Sequence, residues 1–535
     1  MDLATLRDTD FALLHSTADA YDRLHGDFGR HLENWRTGVD RCVAAAGWTG
    51  PAADAATPAL RSTTDELTAA RGGIGRIGKL LRTGADALVL AQSALRKALE
   101  DVRTADMSVD ERGAVAWQPG STAERHDPEY RLSRERTARE LATRIATALT
   151  EAGDVDRAVA ARLRHYTARA HDGSALDRAA ADRDRTDPAL ALGPVLDAAL
   201  PSADAPPTEV TAWWNGLPAE ERQRLIEEHP ELVGNRDGIP AAARDRANRI
   251  LLPRLLARYE GYPAPLDDRT RLKLEGFRRI SERLGSEGQD PPVLLLGIGE
   301  EGQGRAVLSF GDPDTARNVT SLVGGLGTEL QRIGGGDADR ARAVYDAARR
   351  ADPAGSTASI AWLGYDAPLG GDVLSRTDAE AGADAYRRFL AGQRATHRGA
   401  PAHSTAQGHS YGSLVVGLAA QRPGGLAADD VILVGSPGTG AFHASDLSVG
   451  ADHTYVGAAQ WDYVSRTGWY TRDPARADFG GRRFAVPDGS PDGSAHSSYW
   501  DDGPREDRTS VDNIGEIVTG HGDRISRQAP RAGRP

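Results

Sequence analysis

The sequence predicts an α/β protein, a mostly parallel eight-stranded sheet flanked by helices and preceded by an all-α N-terminal region. Three observations carry this. Eight short strand-like runs follow Pro291, and helical patterns lie between the later ones. The first hundred residues instead place apolar side chains three or four positions apart over two long stretches. Between one strand-like run and the helical pattern after it stands Gly408-His409-Ser410-Tyr411-Gly412, a G-x-S-x-G motif.

The bulk properties narrow the setting. A chain of 535 residues exceeds one core, so several domains are expected. With 65 basic and 77 acidic residues the formal net charge is −12, a poor match to a polyanionic nucleic-acid partner. Cys42 is the single cysteine, which excludes intrachain disulfides and cysteine zinc sites. The opening MDLATLRDTDFALL has no basic stretch followed by an unbroken apolar run, and eighteen consecutive apolar residues occur nowhere. The expectation is a cytoplasmic protein with neither a secretory signal peptide nor a transmembrane segment.

Taken in order, residues 3–46 carry Leu6, Phe11, Leu14, Ala18, Tyr21, Leu24, Phe28, Leu32, Trp35, Val39 and Val43 at helical spacing, predicting one long amphipathic helix. The pattern stops at Gly47-Trp48-Thr49-Gly50-Pro51, and a second long helix is expected from Ala52 to about Val102. Two long helices joined by W-x-G resemble the helical hairpins of the WXG family, associated with type VII secretion. That resemblance implies a helical protein partner for residues 1–105 and export as the alternative location. A plain hairpin whose Trp48 plugs the turn fits the same residues. The chain departs from the family's export pattern, because Tyr130 and Tyr166 are followed four residues on by Arg134 and Ala170 rather than by an acid. Residues 106–205 read as a charged helix over about 130–170 between two linkers, and residues 206–290 as a helical lead-in broken at Pro230 and Pro240.

The last division, 291–535, holds the strands PPVLLLGIG, GRAVLSFGD, NVTSLVGG, STASIAWLGYD, AHSTAQGHS, DDVILVGSPG, DHTYVGAAQ and RRFAVPD. Helical patterns such as DADRARAVYDAARR and GSLVVGLAAQR separate them, as a parallel sheet covered on both faces requires.

A lone serine hydroxyl is a weak nucleophile and needs a base and an acid to orient that base. AHSTAQG supplies a strand and SLVVGLAAQR a helix around Ser410, the context in which a tight turn presents a serine over a sheet. The carboxylate and the histidine should follow in that order after later strands. Asp462 stands directly after DHTYVGAAQ, with Asp446 as the alternative, and His496 precedes the last helix, with His521 as the alternative. For an oxyanion hole the expected donors are the N–H of Tyr411 and that of Gly325 or Leu326, in the glycine-rich loop Gly324-Gly325-Leu326-Gly327-Thr328.

These residues resemble the α/β-hydrolase superfamily and, more narrowly, an actinobacterial α/β-hydrolase family long carried as a domain of unknown function. The narrower resemblance rests on AWLGYDAP at 361–368, on GHSYG, on Ala495-His496-Ser497-x-Tyr499, and on the upstream WWNGLPAEER and DGIPAAARDRAN segments. It implies the α/β-hydrolase fold and the Ser410, Asp462, His496 triad but says little about the bond cleaved; the reading taken from the residues is a serine hydrolase acting on carboxylic esters through an acyl-enzyme. An acyltransferase would use the same residues, and a helical interaction protein with a subsidiary hydrolase domain is the reading from another class. Tyr365 and Asp366 end the fourth strand on the active-site edge, although Asp366 equally suits a helix-side cap. Trp461 and Tyr463, with Trp469 and Tyr470, are expected to wall a pocket for a small-molecule or lipid-like acyl ester.

No cofactor or metal is implied. The match Gly297-Ile298-Gly299-Glu300-Glu301-Gly302 is followed by another strand and carries two glutamates where a pyrophosphate would lie, so it reads as an acidic β-hairpin. The histidines show no H-E-x-x-H spacing.

Overall fold

The long apolar periodicities become helices and the short runs become one sheet in a computed structural model. It describes residues 1–47, 49–118, 128–187, 190, 200–202, 204–262, 265–285, 290–370, 373, 375–504 and 508–531. The chain divides into two units, Met1–Asp204 with Gly216–Glu221, and Ala205–Asn215 with Arg222–Pro535.

In the first unit the run expected as a single helix over 3–46 is two, α1 (Leu3–Asp8) and α2 (Ala12–Ala46). Polar side chains at the junction override the apolar period: the Thr9 hydroxyl and N–H both return to the Thr5 carbonyl, and Asp10 accepts from the Ala12 N–H at 2.9 Å. Helix α3 (Pro51–Thr104) starts on a proline, which needs no N–H there, and keeps Pro58 inside its early turns. It packs against α2 and against α4 (Pro128–His171). Buried Leu80, Leu88, Leu95 and Val102 of α3, with Leu141, Ile145 and Ala152 of α4, fill that core. Trp35 donates its indole N–H to Thr64 across α2 and α3. Trp48 of the W-x-G turn lies outside the described residues. Within the segment expected as a linker, Ser108–Val109 pairs antiparallel with Val115–Ala116.

In the second unit all eight strand-like runs form strands: β1 (Val293–Gly299), β2 (Arg305–Phe310), β3 (Asn318–Val323), β4 (Thr357–Leu363), β5 (His403–His409), β6 (Asp430–Val434), β7 (Thr454–Gly457) and β8 (Arg482–Arg483). Their order across the sheet is β8-β7-β6-β5-β3-β4-β2-β1. Only β2 runs antiparallel to its neighbours, β1 and β4, and the glycine-rich 297–302 match runs from the end of β1 into the turn of the β1–β2 hairpin. Strands β3 and β4 are buried at every position, β3 including the polar Asn318, Thr320 and Ser321, so neither face of the inner sheet is left to solvent. Helices α5 (Ala241–Glu260) and α6 (Asp268–Leu284) precede the sheet, and α7 (Gly336–Ala351), α8 (Thr377–Thr396), α9 (Gly412–Gln421) and α10 (Thr509–Val518) cover it. Helices α8 and α9 pack on each other, as do α7 and α10.

Register places the chemistry. Val323 of β3 pairs with Gly408 of β5, His409 with Val434 of β6, and Val434 with Gly457 of β7. The carboxyl ends of four parallel strands therefore finish side by side, and the loops that leave them carry Gly325, Ser410, Gly435 and Asp462.

Candidate active site

Ser410 follows β5 and has φ of +53°, one of three non-glycine residues with positive φ among the described residues. That conformation costs a residue with a Cβ about 1–2 kcal/mol, so the surroundings must impose it. They do so through the Ser410 N–H, which donates to the Val434 carbonyl at 3.1 Å, and its carbonyl, which accepts from Ser413 N–H at 2.9 Å. The two glycines of the motif are required by backbone contact. A Cβ on Gly408 would lie 2.6 Å from Ser413 Cα, and one on Gly412 only 2.2 Å from the Val323 carbonyl oxygen.

The structure brings His496 and Asp462 together, with His496 Nδ1 at 3.0 Å from each carboxylate oxygen. A carboxylate only accepts, so Nδ1 carries the proton and Nε2 is left as the basic nitrogen. Tyr499 donates its hydroxyl to Asp462 Oδ2 at 2.5 Å, and the Ser465 N–H donates to Oδ1 at 3.2 Å. Burial alone would push the Asp462 carboxyl up. The hydrogen bonds from His496, Tyr499 and Ser465, with the attraction of the imidazole, outweigh it and hold the group below its usual value. Gly435 makes room for the pair, since a Cβ there would stand 2.9 Å from Asp462 Oδ2 and 3.1 Å from His496 Nδ1.

His409 ties this pair to the Ser410 turn. Its Nε2 donates to the His496 carbonyl at 2.8 Å, the two rings lie 4.8 Å apart, and Trp500 meets the His409 ring edge-on at 5.1 Å. Burial, reinforced by the positive Arg340, pushes the His409 imidazole well below its ordinary value and keeps it neutral.

Gly325 is in direct contact with the serine: its Cβ position falls 2.6 Å from Ser410 Cβ and 3.0 Å from Oγ. The Leu326 side chain is exposed. Tyr411 is the N-cap residue of α9, and a helix start offers N–H groups without helical partners. Its ring is buried, with the hydroxyl donating to the Ser375 carbonyl at 2.8 Å.

Tyr365 and Asp366, expected at the active-site edge, are both engaged by neighbouring groups. Tyr365 is only 3% exposed and donates its hydroxyl to the Gly324 carbonyl at 3.1 Å. Asp366 is engaged by Arg305 at 2.7 and 2.9 Å and by the Gln303 N–H at 2.7 Å, which ties β4 to the β1–β2 hairpin. Trp461 and Tyr463 are exposed and meet edge-to-face at 6.5 Å, and Trp469 is exposed, whereas Tyr470 is buried. The alternatives lie elsewhere: Asp446 accepts from the Phe442 and His443 N–H groups, and His521 bonds the Thr519 hydroxyl past the end of α10. Sequence reasoning assigned no role to His409, Thr328, Gly435 or Tyr499. For Tyr499 a signal existed in the aromatic three positions after His496.

Among the described residues no helix is long and apolar enough to cross a membrane. A family model described as "Alpha/beta hydrolase" matches residues 300–470. Uncharacterized protein Rv2079 of Mycobacterium tuberculosis is 33% identical over 384 residues, 61% of this chain and 57% of that protein. The chain thus spans little more than half the length of that relative. Uncharacterized protein Rv0963c of the same organism is 37% identical over 202 residues, 36% of this chain and 75% of that protein. A hyperthermophilic esterase from the archaeon Pyrobaculum calidifontis aligns at 11% identity and a TM-score of 0.28, covering 51% of this chain and 97% of that one. That last likeness is too slight to carry an argument. Sheet order, the Ser410 turn, the family model and the mycobacterial matches agree: the chain belongs to one protein family with the mycobacterial relatives, and its strand-bearing unit is an α/β-hydrolase domain.

Proposed function

We propose that residues 291–535 form the catalytic domain of a serine hydrolase that cleaves carboxylic esters, with Ser410 as nucleophile, His496 as general base and acid, and Asp462 as the carboxylate that fixes the imidazole. The observation that carries the reading is the strained Ser410, presented after β5 against Gly325, with its neighbour His409 bonded to the carbonyl of His496. Strain of this kind persists where the surroundings impose it for a task. Ser410 Oγ attacks the acyl carbonyl while its proton passes to His496 Nε2. The carbonyl oxygen takes the negative charge and is met by the N–H groups of Tyr411 and of Gly325 or Leu326. Collapse expels the alcohol, which receives the proton from His496, and leaves an acyl-serine. Water attacks that ester, His496 takes the water's proton, and the acid leaves as Ser410 regains its hydrogen.

Trp461 and Tyr463 flank Asp462 in sequence and are exposed, and the apolar surface they offer is the support for an uncharged apolar acyl ester. The test is labelling with a fluorophosphonate probe together with hydrolysis of p-nitrophenyl esters of graded chain length. Wild type is expected to label and to turn over, and Ser410→Ala and His496→Ala to lose both. A folded wild type that neither labels nor hydrolyses any ester removes the proposal.

A further inference from the structure

The loop Gly324–Thr328 has its carbonyl groups held one after another. The Tyr365 hydroxyl donates to Gly324 O at 3.1 Å. Thr328 donates to Gly325 O twice, through its hydroxyl at 2.8 Å and its N–H at 3.2 Å. Arg332 reaches Leu326 O at 3.3 Å, and the Gly327 N–H is fixed on the Pro368 carbonyl at 3.0 Å. In a trans peptide the C=O and the N–H of the next residue point in opposite directions. A donor on Gly324 O therefore sets where the Gly325 N–H points, and a donor on Gly325 O sets the Leu326 N–H. Gly325 is also the residue in contact with Ser410, 3.0 Å from Oγ at its Cβ position.

We propose that Tyr365 and Thr328 are positioning residues of the oxyanion hole, each holding one carbonyl of the loop so that the N–H behind it, of Gly325 and of Leu326 respectively, stays aimed at the oxygen that becomes negative on attack by Ser410. The inference rests on the reading of Ser410 as nucleophile. Neither side chain touches substrate, and neither exchanges a proton in the reaction. Tyr365 is suited to the task because its ring is locked, stacked on Trp362 at 12° between planes and packed against Gly382. Burial pushes its phenol well above the ordinary value, so it remains a donor throughout the working range. A preorganised donor matters because the oxyanion needs it already in place, and deleting one costs about 10²–10³ in kcat. A donor loosened rather than deleted should cost less, about tenfold to a hundredfold.

The experiment uses the full chain with Tyr365→Phe, Thr328→Val and Thr328→Ser, measuring hydrolysis of p-nitrophenyl butyrate and inhibition by a trifluoromethyl ketone, which forms a tetrahedral oxyanion on an active serine. The Phe and Val variants are expected to lose kcat by about tenfold or more with KM within about twofold, and to bind the ketone more weakly by the same factor as kcat/KM. Thr328→Ser keeps the hydroxyl and should retain wild-type behaviour. The threonine pair keeps the test decisive if Tyr365→Phe fails to fold. Folded Phe and Val variants with wild-type kcat and ketone affinity would overturn the inference while leaving the hydrolase reading in place. Equal loss in Thr328→Ser and Thr328→Val would also overturn it, since packing rather than the hydroxyl would then be responsible. A wild type inert toward both ester and ketone would remove the hydrolase reading itself.

Discussion

Gly325→Ala is the sharpest perturbation available at the candidate site, because the added atom lands on the nucleophile. The new Cβ would lie 2.6 Å from Ser410 Cβ, 3.0 Å from its Oγ and 3.1 Å from the His409 carbonyl. Carbon atoms sit comfortably at about 3.5–4.0 Å, so one side must yield by about 1 Å. Ser410 is poorly placed to give way, since its N–H is bound to Val434 O and Gly412 already rests on the Val323 carbonyl. The loop must therefore retreat and take the Gly325 N–H with it. A displacement of about 1 Å costs about a hundredfold in an enzyme, and full loss of an oxyanion donor costs about 10²–10³, or about 2.7–4 kcal/mol of transition-state stabilisation. Stability should fall by a smaller amount, about 1–3 kcal/mol, as for other overpacked sites. The assay is kcat on a p-nitrophenyl ester alongside thermal unfolding. Gly336→Ala is the control, because nothing stands within 4 Å of its Cβ position, and it should match wild type. A folded Gly325→Ala protein within about threefold of wild-type kcat would refute the placement of this loop at the reacting carbonyl.

Tyr499→Phe removes the 2.5 Å donor to Asp462 and strips the Ala459 N–H of its acceptor at 3.1 Å, so stability should drop by about 2–4 kcal/mol. Asp462 is held below its ordinary carboxyl value of 3.8, so its contribution is present above that pH and lost as pH falls through the lower folded value. Removing one of its donors should move the acid-unfolding midpoint to higher pH, and an unchanged midpoint would deny Tyr499 this part. At the amino ends of the strands, His403 meets Asp430 at 2.9 Å, and His453 meets the other oxygen at 2.8 Å. Burial pushes the His403 imidazole down, but Asp430 more than compensates and raises it above 6.5, so its stabilisation is complete below that pH and is lost as pH rises through the higher folded value. Urea unfolding of wild type and His403→Gln should thus differ most near about pH 5.5 and converge near about pH 8.5, and a gap that widened with pH would reverse the sign of this argument.

The sheet was legible because its inner strands are buried on both faces. STASIAWL offers no regular polar face to solvent, and the alternation of strand runs with helical segments leaves a parallel arrangement as the natural outcome. The junction between α1 and α2 was not legible by period alone, since Leu6, Phe11 and Leu14 continue the apolar spacing through it. What breaks the helix there is a set of short polar side chains competing for backbone groups. Tyr365 and Asp366 show a different limit. Their place at the end of β4 was readable, but the strand end does not say which way a side chain turns beyond it, and Arg305, which claims Asp366, lies in another strand.

Four glycines explain why the candidate site is only half visible in the sequence. Gly408 and Gly412 are demanded by contacts within the Ser410 turn and with the adjoining end of β3, and their fixed spacing makes them a motif. Gly325 and Gly435 are demanded just as strictly, by Ser410 and by the Asp462–His496 pair, yet they leave β3 and β6 and stand far from those partners in the chain. The constraint has the same origin in all four places: backbone must pass within a Cβ's radius of a group that cannot move. A local constraint leaves a pattern that can be matched, and a non-local one leaves a glycine that looks like ordinary loop flexibility. LVGGLGT and ILVGSPG each end a parallel strand with glycine two positions or one position beyond its last residue. Once the strand order is known, those are the positions where close approach to the nucleophile is to be expected. The Gly325 loop could be singled out beforehand because several glycines follow a strand there, whereas the lone Gly435 becomes a candidate part of the site only once the fold sets it beside Asp462 and His496.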